Sequence, residues 1–183
     1  MVIIKEYYTH QIMTNNHNSE KLIRKPLRYV GYNYSNPGLY YITISSQNHL
    51  CFFGKVENGK MILNDAGEMV KKWYYELENK YQNVKCNEMV IMPNHIHFII
   101  ENTATNSKSE GPTLIEIVQW FKTMTTNEYI RGVKQLGWPR FDGKLWQRSF
   151  WDHIIRNQKT HENICEYIFY NPINWKDDEL YKP

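Results

Sequence analysis

Between Met92 and Glu101 the chain reads MPNHIHFIIE, with two histidines one residue apart in a run otherwise composed like a β-strand. Alternate side chains of an extended segment share a face, so His95 and His97 lie together while Ile96, Phe98 and Ile100 point the other way. Two adjacent imidazoles can hold a metal ion. They can equally be an ordinary exposed sheet face that happens to contain histidine. A second group lies in HENICEYIFYNP, where Tyr167 and Asn171 stand four residues apart and so neighbour each other on one side of a helix. Ile164 and Ile168 flank that side and would dock it on a sheet. An amide there could complete a metal site, with a phenol presented to it. Singly, these residues keep plainer meanings: the chain has 14 tyrosines, and Asn171 before Pro172 is a common helix ending. His153 and His161 read as surface or packing residues. Cys165 reads as buried filler with no base beside it.

Positioning these residues requires a frame. Residues 1–28 are polar and weakly periodic and read as a flexible extension; residues 29–183 read as a single domain. Leu39–Ser46 alternates as a half-buried strand. Cys51–Leu63 follows as a hairpin, with Asn58-Gly59 suited to a type I′ turn and Glu57 facing Lys60. Asp65 and Glu68 form a capping pair for a helix ending near Tyr81, and Val84–Met92 and His95–Glu101 are strands joined through Pro93-Asn94. After a loop over residues 102–112, Thr113 and Glu116 make a capping box for a helix bearing Leu114, Ile117, Val118 and Phe121. Lys144–Arg156 reads as extended, and a last helix from about Thr160 to Asn171 is stopped by Pro172. This order predicts an α+β fold. Its frame is a ferredoxin-like, RRM-like βαββαβ antiparallel sheet, with an inserted hairpin and an extra C-terminal helix carrying Tyr167. Helices would cover one sheet face, and the open face would carry His95 and His97 beside Tyr41 and Thr43.

Composition narrows the setting. The three cysteines form no CxxC pair, which argues against a disulfide framework and a zinc–cysteine site and suits a reducing cytoplasm. No apolar run reaches the roughly 18 residues that span a bilayer, so no membrane partner is expected. The net charge of +3 is unevenly placed: Thr113 to Thr160 holds eight basic residues against four acidic, interleaved with aromatics. Cations for phosphates beside flat rings for bases suit single-stranded nucleic acid, with Lys122, Arg148 and Arg156 as phosphate contacts. The alternative is a core of aromatics under a solvated basic face.

The combination resembles the single-tyrosine HUH transposases, most closely the REP-associated tyrosine transposase branch. The likeness runs from about Tyr29 to Trp175 through MPNHIHFII, LWQRSFWDHIIRN and YIFYNPINW. HUH denotes two histidines around a hydrophobic residue, here His95-Ile96-His97. The resemblance implies metal binding at His95 and His97, Asn171 as third ligand and Tyr167 as nucleophile, with Tyr170 as its rival. It also implies Mg²⁺ or Mn²⁺ as cofactor, hairpin-bearing single-stranded DNA as partner, and cleavage and rejoining through a 5′-phosphotyrosine. A lone tyrosine holds one DNA end at a time, so a homodimer or successive rounds would complete transposition. Two other readings stand beside it: a non-catalytic single-strand binding module, and a metal-dependent phosphoesterase that uses water.

Overall fold

The computed structural model describes residue 28 and residues 31–103 and 111–182. Most of the expected N-terminal extension, and the centre of the 102–112 loop, lie outside the described residues. From Tyr32 onward the chain forms one compact unit. Its strands are β1 (Gly38–Ser45), β2 (Gly54–Glu57), β3 (Lys60–Leu63), β4 (Val84–Ile91), β5 (His95–Asn102) and β6 (Trp151–Ile155). Its helices are α1 (Asp65–Lys80), α2 (Leu114–Gln135) and α3 (Gln158–Tyr170), with short 3₁₀ turns at Gln47–His49 and Trp175–Asp177. Four strands form one antiparallel sheet in the order β4-β5-β1-β6. That is the predicted ferredoxin-like arrangement, and β2–β3 is the inserted hairpin.

Local chemistry accounts for most boundaries. Asn58 and Gly59 both adopt positive φ, 51° and 72°, as a type I′ turn requires, and Glu57 pairs with Lys60 in the register. The Glu57 carboxylate forms its ion pair with Lys55, 2.6 Å away. Thr113 and Glu116 close the expected capping box. The first helix departs from expectation: its cap is Asn64, whose side chain accepts from the Gly67 amide and donates to the Phe52 carbonyl. An amide can serve both partners at once, whereas the carboxylate of Asp65 could only accept.

One sheet face and the two long helices make the core. Ile42 and Ile44 of β1 and Ile96, Phe98 and Ile100 of β5 pack against Val70, Tyr74 and Leu77 of α1 and Val118 and Phe121 of α2. The opposite face pairs Thr43 with His97 and Ser45 with His95 in the β1–β5 register. The face expected to be open is closed: His95 and His97 are both fully buried, and Ile164 and Ile168 are buried along α3. A helix with a continuous apolar stripe gains by covering such a face. The expected extended run Lys144–Arg156 is also corrected, since only Trp151–Ile155 is strand. Before it, Leu145 and Trp146 are both buried, and Trp146 Nε1 donates to Thr125 Oγ1 of α2 at 2.8 Å. Anchoring consecutive residues inward breaks the alternation that a strand needs.

Candidate active site

β5 delivers the two histidines, and their neighbours fix how each ring presents itself. Asn94 Nδ2 donates to the carbonyls of His49 and Leu180, at 3.1 and 2.7 Å, so its Oδ1 is the acceptor facing His95 Nδ1 at 2.8 Å. His95 therefore carries its proton on Nδ1 and keeps a lone pair on Nε2. That Nε2 is buried and has no hydrogen-bond partner. His97 Nδ1 meets the hydroxyls of Tyr41 and Thr43, each at 2.8 Å, which turns its Nε2 toward α3. Burial lowers the His95 pKa from 6.5 to about 4, an effect partly opposed by the Asp178 carboxylate. Burial, then His95, holds His97 well below its ordinary value. Both rings are thus neutral near pH 7, the form in which imidazole binds metal.

α3 brings the other half of the site. The Tyr167 hydroxyl lies 3.5 Å from His97 Nε2 and 3.5 Å from Asp178 Oδ2. Asn171, the helix C-cap, is buried; its Nδ2 donates to Asp178 Oδ2 at 3.2 Å. With the amide oriented this way, Oδ1 is left buried without a partner. His95, His97, Tyr167 and Asn171 are therefore brought together as the sequence predicted. Tyr170 is exposed, its ring edge-on to Phe169 on the outer side of the helix.

Asp178 was not foreseen. It follows the 3₁₀ turn Trp175–Asp177, outside any periodic element, and its carboxylate groups with His95 and His97 such that the donor atoms lie within 4.8 Å of one another. The only trace in the sequence is a carboxylate a few residues beyond Asn171-Pro172. The donor set fits a divalent cation: two buried atoms, His95 Nε2 and Asn171 Oδ1, have no hydrogen-bond partner among the described residues, and buried polar atoms are rarely left so.

The three expected phosphate contacts fall differently. Arg148 and Arg156 are exposed, on the loop before β6 and just after it. Lys122 is engaged within the chain: its ammonium donates to the carbonyls of Gln147, Arg148 and Ser149, at 2.9, 3.4 and 3.0 Å, and lies over the Phe150 ring. It shapes the loop that carries Arg148, with its donors turned to backbone oxygens.

Comparison with known proteins places this arrangement. The family model described as "Transposase IS200 like" matches residues 43–171, from within β1 to the cap of α3. The chain belongs to that family. It is 35% identical over 188 residues to an uncharacterized protein of Haemophilus influenzae, a match covering 92% of this chain and 99% of that protein. A second H. influenzae protein, named as a REP-associated tyrosine transposase, is 27% identical over 143 residues, covering 76% of this chain and 73% of its own. The solved structure of a REP-associated tyrosine transposase bound to a REP hairpin shares the fold with a TM-score of 0.55 at 18% identity, covering 80% of this chain and 73% of that one. Family membership makes this chain a transposase-type enzyme acting on DNA. No helix among the described residues is long and apolar enough to cross a membrane.

Proposed function

We propose that this IS200-like transposase cleaves and rejoins single-stranded, hairpin-bearing DNA with Tyr167 as nucleophile. The observation that carries the reading is the position of the Tyr167 hydroxyl, 3.5 Å from His97 Nε2, beside the two unpartnered buried donors His95 Nε2 and Asn171 Oδ1. His95, His97 and Asn171 would hold a divalent cation, with the Asp178 carboxylate as an added ligand. Mn²⁺ suits the mixed nitrogen and oxygen donors better than Mg²⁺. Bound there, the ion supplies positive charge for the non-bridging oxygens of the scissile phosphate.

The chain's own residues do the rest. α3 holds the phenol against the imidazole pair, and its seat on Ile164 and Ile168 keeps that position fixed. In the forward step a bond forms between Tyr167 Oη and phosphorus as the bond from phosphorus to the 3′-oxygen breaks. The phenol proton passes to Asp178 Oδ2, 3.5 Å away, and the departing 3′-oxygen takes up a proton from water to leave as a hydroxyl. One phosphodiester replaces another, so the reverse attack by a different 3′-hydroxyl rejoins DNA without an external energy source. Arg148 and Arg156 supply exposed cations for the backbone of the strand.

Incubation with hairpin-bearing single-stranded DNA and Mn²⁺ tests the reading. The expected product is an SDS-resistant adduct mapping to Tyr167, absent in Tyr167→Phe and retained in Tyr170→Phe. Cleavage without an adduct would instead indicate attack by water, and binding without cleavage a recognition module.

A further inference from the structure

α3 presents a second cluster on its other flank. At 3.6 residues per turn, Tyr167 and Asn171 lie on one side of the buried Ile164–Ile168 stripe, and His161 and Cys165 lie on the opposite side. His161 and Cys165 are one turn apart, which sets an imidazole and a thiol over the same patch. Cys165 Sγ is 3.6 Å from His161 Nε2, and Glu88 Oε2 is 3.9 Å from that same nitrogen. No base is recognisable beside Cys165 in the sequence; the structure places one there.

Glu88 reaches this position through an irregularity in β4. The register with β5 shifts between Cys86, opposite Ile100, and Met89, opposite Phe98, so that Asn87 and Glu88 together face Ile99. This is a β-bulge, and bulges re-aim side chains. The Tyr74 hydroxyl from α1, within reach of the carbonyls of Asn87 and Ile99, backs it from the core side. The bulge leaves Glu88 against α3, where its carboxylate pairs with His161.

We propose that Glu88, His161 and Cys165 form a binding site for a borderline-soft divalent cation of the zinc class, which clamps α3 to β4. The ligand atoms all lie within 4.8 Å of one another. In a tetrahedral zinc site with bonds of about 2.0 Å to nitrogen and oxygen and about 2.3 Å to sulfur, ligand atoms stand about 3.3–3.5 Å apart. The sulfur–nitrogen separation, 3.6 Å, is already close to that, and the oxygen–nitrogen separation, 3.9 Å, closes by a small movement of the exposed Glu88 side chain. The donors are one nitrogen, one oxygen and one sulfur, with a fourth position left for water. Sulfur sets this site apart from the nitrogen and oxygen donors around His95, so a thiolate-to-metal absorption band reports this site alone. The clamp closes the flank of α3 opposite Tyr167 and fixes the roll of the helix on its apolar stripe. It stands independently of the strand-transfer reading.

Metal-free full-length protein titrated with Co²⁺, a spectroscopic substitute for zinc, should develop thiolate-to-cobalt absorption whose final intensity corresponds to one cobalt–thiolate bond per chain. The band should persist in Cys51→Ser and vanish in Cys165→Ser. Its absence from the wild type, or its survival in Cys165→Ser, would overturn the site. Hydrogen exchange tests the clamp. With Zn²⁺ at about one hundred times its dissociation constant, local opening of α3 should slow about a hundredfold more in wild type than in Cys165→Ser. Cobalt binding without added protection of residues 158–170 by zinc would overturn the clamp. Thermal unfolding of the metal-free proteins at the same midpoint will establish that Cys165→Ser folds normally, and the serine variant's loss of the band then reports the missing ligand.

Discussion

Acid should destabilise the metal-free protein through its histidine pair, to an extent that follows from the burial of His95. Its pKa lies at about 4 in the fold against 6.5 when unrestrained, chiefly because burial penalises the charged ring. Below pH 6.5 the unfolded chain takes up a proton that the folded chain refuses, so stability is fully present above 6.5 and falls as the pH drops toward 4. Each pH unit in that window costs about 1.4 kcal/mol per ring, so at about pH 4.5 His95 alone removes about 2.7 kcal/mol. His97, lowered by the same burial and by His95, adds a further loss in the same direction. Against a typical domain stability of about 5–15 kcal/mol the effect is large. Urea unfolding with chelator present, at about pH 7.5 and about pH 4.5, compares wild type with His95→Gln, which keeps a polar side chain but cannot titrate. The wild type should lose about 2 kcal/mol more than the variant between the two conditions. Equal losses in both proteins would refute the reasoning, because they would mean that His95 is not held neutral by the fold.

Other outcomes follow from particular contacts. Asp178→Asn should weaken Mn²⁺ binding, measured by calorimetry without DNA, by about tenfold or more, since the only carboxylate among the donors is neutralised. His97→Ala should cost about 2–4 kcal/mol in urea unfolding, because the buried hydroxyls of Tyr41 and Thr43 both lose their shared partner. Gly132→Ala should destabilise by about 1–3 kcal/mol, because the Trp138 ring rests directly on the space its methyl group would need. Lys122→Met should speed proteolysis within residues 147–149, whose carbonyls lose their shared donor, while leaving α2 intact.

Features written in local chemistry were legible in the sequence. The type I′ turn at Asn58-Gly59, the capping box of Thr113 and Glu116, and the shared face of His95 and His97 each depend on residues a few positions apart. The pairing of Tyr167 with Asn171 needed only helical spacing, although its meaning needed the family resemblance. What escaped depends on contacts across the fold. Asp178 sits in a segment with no periodicity, and nothing local says that Asn94, 86 residues earlier, will bind the neighbouring Leu180 carbonyl. Glu88 meets His161 because of a bulge, which alternation alone does not reveal. Lys122 looked like a free cation because basic residues usually are, yet three loop carbonyls occupy it. The closed sheet face escaped for a similar reason: the apolar stripe of α3 was visible, but the neutral histidines beneath it were read as exposed.

The long span between the two halves of the site has a consequence for protein synthesis. His97 meets Tyr167 across 70 positions of chain, and Asn94 is secured by Leu180 still later. Domains made on the ribosome fold from the N-terminal side as residues emerge. The β4-β5-β1 part of the sheet and α1 are therefore synthesised before α3. During that interval the nascent protein has its histidines but neither its tyrosine, its amide nor its carboxylate. On the proposed function, a chain cut short before residue 158 would lack Tyr167, Asn171 and Asp178, so synthesis of residues 158–178 would decide when the site is complete.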